Sequence, residues 1–191
     1  MRTKRSHARG SILMDLLIAS VPSMIVIALL IAAQWSALSA YERALSSNKT
    51  TLDAYKALRE IRNLSQQAVQ ASVNGSGTQA TIFLPLRDAS GAIQLPVQPD
   101  TANPITLTVN FSTGTLTMTT NSTSRVLLVG IANRTPQGDA YSPFTLTQYA
   151  PGVQALHIRL SVQRTLRQGR ANITSTAWFE ETIWLRNASS P

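Results

Sequence analysis

The 191 residues include no cysteine, two histidines and only 14% charged side chains, against roughly 25% in an average soluble domain. Without cysteine there is no disulfide framework, no thiol nucleophile and no cysteine-ligated zinc site. Acids are scarce, nine against 17 bases. Asp139, Glu180 and Glu181 are too scattered to form a general acid/base pair or a calcium cage. Of the histidines, His7 falls in a basic N-terminal stretch and His157 on the polar side of an alternating segment, where a solvated role is expected. No phosphate loop and no nucleophile motif is present. The sequence points to no catalytic residue, no metal and no cofactor.

What is abundant is serine plus threonine, 41 residues together. The net charge of +8 is concentrated at one end. Arg2, Lys4, Arg5 and Arg9 stand in the first ten residues with no acid among them, and residues 11–191 keep only +4. From Leu16 to Ala33 no residue is charged. Such an 18-residue run covers about 27 Å as a helix, close to a hydrocarbon core of about 30 Å. Bases before it hold the N-terminus in the cytoplasm and send the rest across. A secretory signal cut near Ala37-Leu38-Ser39 is the competing reading, but the run exceeds the usual apolar core of such signals.

Asp15 lies at the start of this run. An acid near membrane centre costs roughly 2.5–3.5 kcal/mol on insertion scales. It is explained either as a helix-start acid facing the positive end of the dipole or by pairing with a cation.

Arg9-Gly10 followed by Ser11-Ile12-Leu13-Met14-Asp15-Leu16-Leu17-Ile18-Ala19 resembles the processing motif of type IV pilin-like proteins, the minor pilins and pseudopilins. The family pattern is a short basic leader ending in glycine, an acid five positions after the cut, and an apolar helix. Ser11 stands where the family usually has Phe, and Asp15 where it usually has Glu. Thr182-Ile183-Trp184-Leu185-Arg186-Asn187 is similar to the closing strand of many pseudopilins. The resemblance implies cleavage after Gly10 by a prepilin peptidase, with Arg9, Gly10 and Ser11 as the processing site. It also implies an assembly role for Asp15, which would bind the new amine of Ser11 on an adjacent subunit. Opposite charges in low dielectric attract strongly, and each offsets the other's desolvation.

Beyond the apolar run, Leu38, Tyr41, Leu45, Leu52, Tyr55, Leu58, Ile61, Leu64 and Ala68 recur at helical steps. Arg43, Lys49, Asp53, Lys56, Glu60 and Arg62 occupy the opposite face. The pattern predicts a helix from about 13 to 73, some 90 Å long, stopped at Asn74-Gly75-Ser76-Gly77. Its outer stripe is expected to pack onto a sheet. Ile105, Leu107, Val109 and Phe111 alternate with polar residues, as do Leu116 and Met118, and Ser112-Thr113-Gly114 makes them a hairpin. Ile158, Leu160 and Val162 form another strand; Ile173, Ala177, Phe179, Ile183 and Leu185 share a phase in a last one, with a turn at Arg167-Gln168-Gly169-Arg170. Further strands are expected at 80–86, 125–131 and 144–149, and loops at 87–104 and 133–143.

One helical run followed by strands predicts an α+β fold, a long N-terminal helix packed on an antiparallel β-sheet. The expected organisation is a leader at 1–10, a membrane or filament-core helix at 11–35, an amphipathic continuation at 36–76 and an extracytoplasmic β-rich domain at 77–191.

Arg159, Arg164, Arg167 and Arg170 surround the last hairpin, with Arg125, Arg134 and Arg186 as outlying candidates. They read as nucleic-acid contacts or as a solubilising surface. The second is preferred, because aromatic interleaving is weak and +4 is modest. Trp178 and Trp184 share the phase opposite the apolar one, either as exposed anchors for a neighbour or under a second covered face. Eight Asn-x-Ser/Thr sequons occur where about two are expected by chance, which keeps a glycosylated surface protein in view.

The resemblance implies a structural subunit of a type II secretion pseudopilus or type IV pilus in the bacterial inner membrane, with a J-type tip component preferred. Its partners would be the prepilin peptidase, other pilin or pseudopilin subunits and the inner-membrane assembly platform. The alternatives are a single-pass protein whose β-domain binds a partner or the cell wall, and a DNA-uptake pilin using the basic hairpin.

Overall fold

The computed structural model describes residues 7–121, 123–150, 153–168 and 171–185, and the chain divides into two units, residues 1–45 and 46–191. The first secondary-structure element is helix α1, His7–Ser65. Within the first unit it carries the uncharged run, and its large apolar side chains are exposed: Leu16 is 70% exposed, Met24 70% and Leu30 59%.

Among the described residues the second unit holds the last turns of α1 and eight strands: β1 (Gln70–Val73), β2 (Gln79–Phe83), β3 (Ile105–Asn110), β4 (Thr115–Thr120), β5 (Thr123–Val129), β6 (Phe144–Ala150), β7 (Val153–Gln168) and β8 (Ala171–Trp184). They form two antiparallel meanders, β1-β2-β3-β4-β5 and β6-β7-β8. Two sheets stand where the sequence predicted one. The β3–β4 hairpin has the expected phase: Leu107 opposes Met118 and Val109 opposes Leu116, all four buried. On the other face Thr106 opposes Thr119 and Thr108 opposes Thr117, cross-strand pairs that favour a half-buried sheet surface.

Backbone hydrogen bonds join the sheets at two seams. After β5, Gly130 O accepts from Gln163 N (2.6 Å) and Ala132 N donates to Ser161 O (2.8 Å). At the β1–β2 turn, Phe144 N donates to Gly77 O (2.8 Å). Ala54, Ala57, Leu58 and Ile61 of α1 enter one core with Ile82, Leu107, Leu116, Leu156, Leu160 and Phe179.

Three further expectations change. The helix ends at Ser65, eight residues before the predicted stop. Gln67 N and Ala68 N bond to carbonyls three residues back, and Val69 N then donates to Phe83 O, so pairing with β2 takes the backbone out of the helix. The Asn74–Gly77 signal is real but belongs to a hairpin: Asn74 Oδ1 accepts from Thr78 N and Gln79 N, and Gly77 has φ +67°. Second, the predicted stripe packs only at its outer end, where Leu58, Ile61 and Ala68 are buried and Leu64 lies against the core. Leu38, Tyr41, Leu45, Leu52 and Tyr55 are more than half exposed, whereas Ser46, Thr50, Ala54, Ala57, Leu58, Ile61 and Ser65 are buried. Small residues let the helix axis approach the sheets closely, and Thr50 Oγ1 bonds Ser46 O (2.9 Å), so its hydroxyl is satisfied in that contact.

Third, the predicted loops hold short bridged hairpins. Arg87 pairs with Ile93 and Arg134 with Ala140. Each is clamped the same way, an arginine Nη1 donating to the carbonyl of a glycine four residues on: Arg87 to Gly91 (2.8 Å) and Arg134 to Gly138 (2.7 Å).

Candidate functional site

Arg9, Gly10, Ser11 and Asp15 stand in the first turns of α1. The side chains of Arg9, Ser11 and Asp15, and residues 1–6 with the other leader bases, lie outside the described residues. From Leu16 to Ala33 the helix is apolar on all sides and its large side chains are exposed, a surface stable only in lipid or against other apolar helices. Pro22 lies inside it and supplies no N–H. The hydroxyls in this stretch turn back to the helix: Ser20 Oγ donates to Leu17 O (2.9 Å) and Ser23 Oγ to Ala19 O (3.0 Å). The polar groups of both serines are thereby satisfied without water, as a membrane interior requires. Among the described residues this is the one helix long and apolar enough to cross a membrane.

The second unit holds the end of α1 with two ion pairs, Arg62 to Glu181 on β8 and Glu60 to Arg125 on β5. Tyr55 meets Phe179 edge-on, with centroids 5.7 Å apart. The charged face therefore contributes to docking along the rim of the buried small-residue face.

The arginine cluster is divided by strand alternation. Arg159 stands opposite Glu180 in β7, and its Nε is buried without a hydrogen-bond partner. Arg164 follows Leu160 and Val162 in phase, on the other face, and reaches a cleft shared with α1. Arg167 pairs in register with Asn172, but its side chain and Arg170, like part of the expected turn, lie outside the described residues, as does Arg186. Arg125 and Arg134 are engaged with Glu60 and Gly138.

The tryptophans part company. Trp178 is half-buried under Tyr141 (centroids 5.1 Å, 78°), which in turn meets Phe111 (5.9 Å, 76°). Tyr141 Oη donates to Ala132 O (2.7 Å) and accepts from Ser161 N (3.0 Å), tying the 131–143 loop to β7. Burial pushes the Tyr141 phenol above its ordinary range. The sequence patterns do not single out Tyr141; its one signal is an aromatic two residues before Pro143 in a loop. Trp184 is 50% exposed and leans on Tyr149 (4.8 Å). His157 Nδ1 lies 2.9 Å from Thr182 Oγ1, a cross-strand contact. Among the described residues no three His, Asp or Glu side chains converge.

No protein-family model, curated protein sequence or solved structure matches the chain. Its architecture is pilin-like: a long apolar N-terminal helix whose last turns pack against antiparallel sheets.

Proposed function

We propose that the protein is a minor pilin or pseudopilin, a structural subunit that joins a type II secretion pseudopilus or a type IV pilus. The observation that carries this reading is α1 itself. A single helix runs from the Gly10–Asp15 motif through an exposed apolar stretch into turns docked on a β-domain. A plain membrane anchor needs no acid beside its apolar run and no glycine five residues before it. In this reading a prepilin peptidase cuts between Gly10 and Ser11. The subunit waits in the bacterial inner membrane with its β-domain outside, and the assembly platform feeds it into a filament. Asp15 meets the Ser11 amine of a neighbour, and the apolar helix surface exchanges lipid for other subunits. The work is assembly, not catalysis.

The test is the N-terminal residue of membrane-extracted protein by mass spectrometry, wild type beside Gly10→Ala. We expect a terminus at Ser11 in the wild type and an uncut chain in the variant. A wild-type terminus at Met1, or near Ala40, overturns the filament reading.

A further inference from the structure

β5 is the terminal strand of its sheet, with one edge on β4 and no strand on the other among the described residues. At Gly130–Ala132 the chain crosses to β7, and on one side of that seam the two strands part. The opening is a cleft of about 500 Å³, walled by Val126–Gly130 and Gln163–Thr165, with α1 as its floor. Val126 is 54% exposed and Val129 66%, unusual for valines in a strand. Three cations, Lys49, Lys56 and Arg164, line it against one carboxylate, Asp53. None of the three forms an ion pair among the described residues.

We propose that this cleft takes up one extended, acidic peptide segment of a partner protein, which adds as a sixth strand to the free edge of β5. Strands in a sheet lie about 4.8 Å apart, so an added strand needs a slot open along the edge, as here. The backbone groups of β5 bind it, the exposed valines receive its apolar side chains, and the cations receive its carboxylates. Exposed edges are normally protected against indiscriminate pairing by lysine. Lys49 and Lys56 do this for neutral and basic strands and admit an acidic one.

The probe is a nine-residue peptide alternating valine with threonine and glutamate, added to the full-length protein in detergent. Binding is read by fluorescence anisotropy, and hydrogen exchange is followed over residues 123–129. We expect binding that slows exchange along β5. Reversing Lys49 and Lys56 to Glu, both exposed and outside the core, should weaken it by about tenfold, that is about 1.4 kcal/mol. A peptide N-methylated on alternate amides should not bind, because the edge then loses its hydrogen bonds. The proposal is overturned by unchanged exchange on β5, by equal binding of the N-methylated peptide, or by equal binding of a glutamate-to-lysine peptide. Displacement of the peptide by a single-stranded oligonucleotide at least as acidic, with no β5 protection of its own, also overturns it, in favour of a simple polyanion site.

Discussion

Gly130 has φ +93° where the chain leaves β5, and a Cβ there would overlap the carbonyl oxygen of Gln163. Gly77, at φ +67°, would place a Cβ 2.7 Å from that of Ser142. These two glycines sit at the two seams between the sheets, so their missing side chains permit the close backbone approach. Gly91 has a similar φ of +85° but open space around it. Alanine at 91 should therefore cost only the strain of a left-handed residue, about 1–2 kcal/mol. Alanine at 130 should cost clearly more and loosen both sheets, since the obstructing atom is backbone. Thermal melts of the two variants in one detergent separate strain from seam. Tyr141 closes the same region. Tyr141→Phe should cost about 1–3 kcal/mol, because Ser161 N–H loses its acceptor in a half-buried site. The phenol is raised in the folded state, so its share of stability is complete below the ordinary tyrosine value of about 10. That share declines as pH rises through the raised value. The gap between wild type and Tyr141→Phe in denaturant midpoint should accordingly shrink at high pH.

At the scale of elements, the helix face that docks is the one built of small residues. Ile61→Ala, with Ile61 fully buried, should cost about 2–5 kcal/mol, as core truncations do. Leu52→Ala, 58% exposed on the stripe that periodicity favoured, should be nearly neutral in the isolated protein. Chemical denaturation of both decides how far along the predicted stripe the packing reaches. The two ion pairs at its rim are partly exposed, worth about 0–1 kcal/mol each, and orient the helix more than they hold it. In the 86–94 hairpin, Ser90 Oγ, with Ala92 N–H after it, holds the exposed Asp88 carboxyl below its ordinary range. Order there is complete above the usual carboxylate range and is lost as pH falls through the lowered value. Faster amide exchange at Ala92 in Asp88→Asn would report the same loss at neutral pH. The alternation of β3 and β4 was legible because every second residue meets one core. The helix end was not, since residues 66–73 carry no proline or glycine and only pairing with β2 turns them into a strand. Before Leu58 the stripe misled, because the docked face there is Ser46, Thr50 and Ala54, and such small residues weigh little in a periodicity.

For the whole molecule, the proposed function separates two properties that one chain carries. Asp15→Ala should leave the denaturation of the β-rich unit unchanged, because Asp15 lies in the other unit. The same change should block incorporation into filaments, seen as loss of cross-linked subunit ladders in membranes. A parallel fall in both would make Asp15 a folding residue and count against the pairing reading. The sequence by itself determined the uncharged membrane-length run, the leader-like bases, the α+β order of elements and the inward phase of the central hairpin, because each depends on neighbours within a few residues. Tertiary structure alone decided that there are two sheets rather than one, and that Trp178 is covered and Trp184 half open. It also decided which helix face is buried and that β5 keeps a free edge beside Lys49 and Lys56. Each of these depends on contacts between residues far apart in the chain, whose closure no local pattern records.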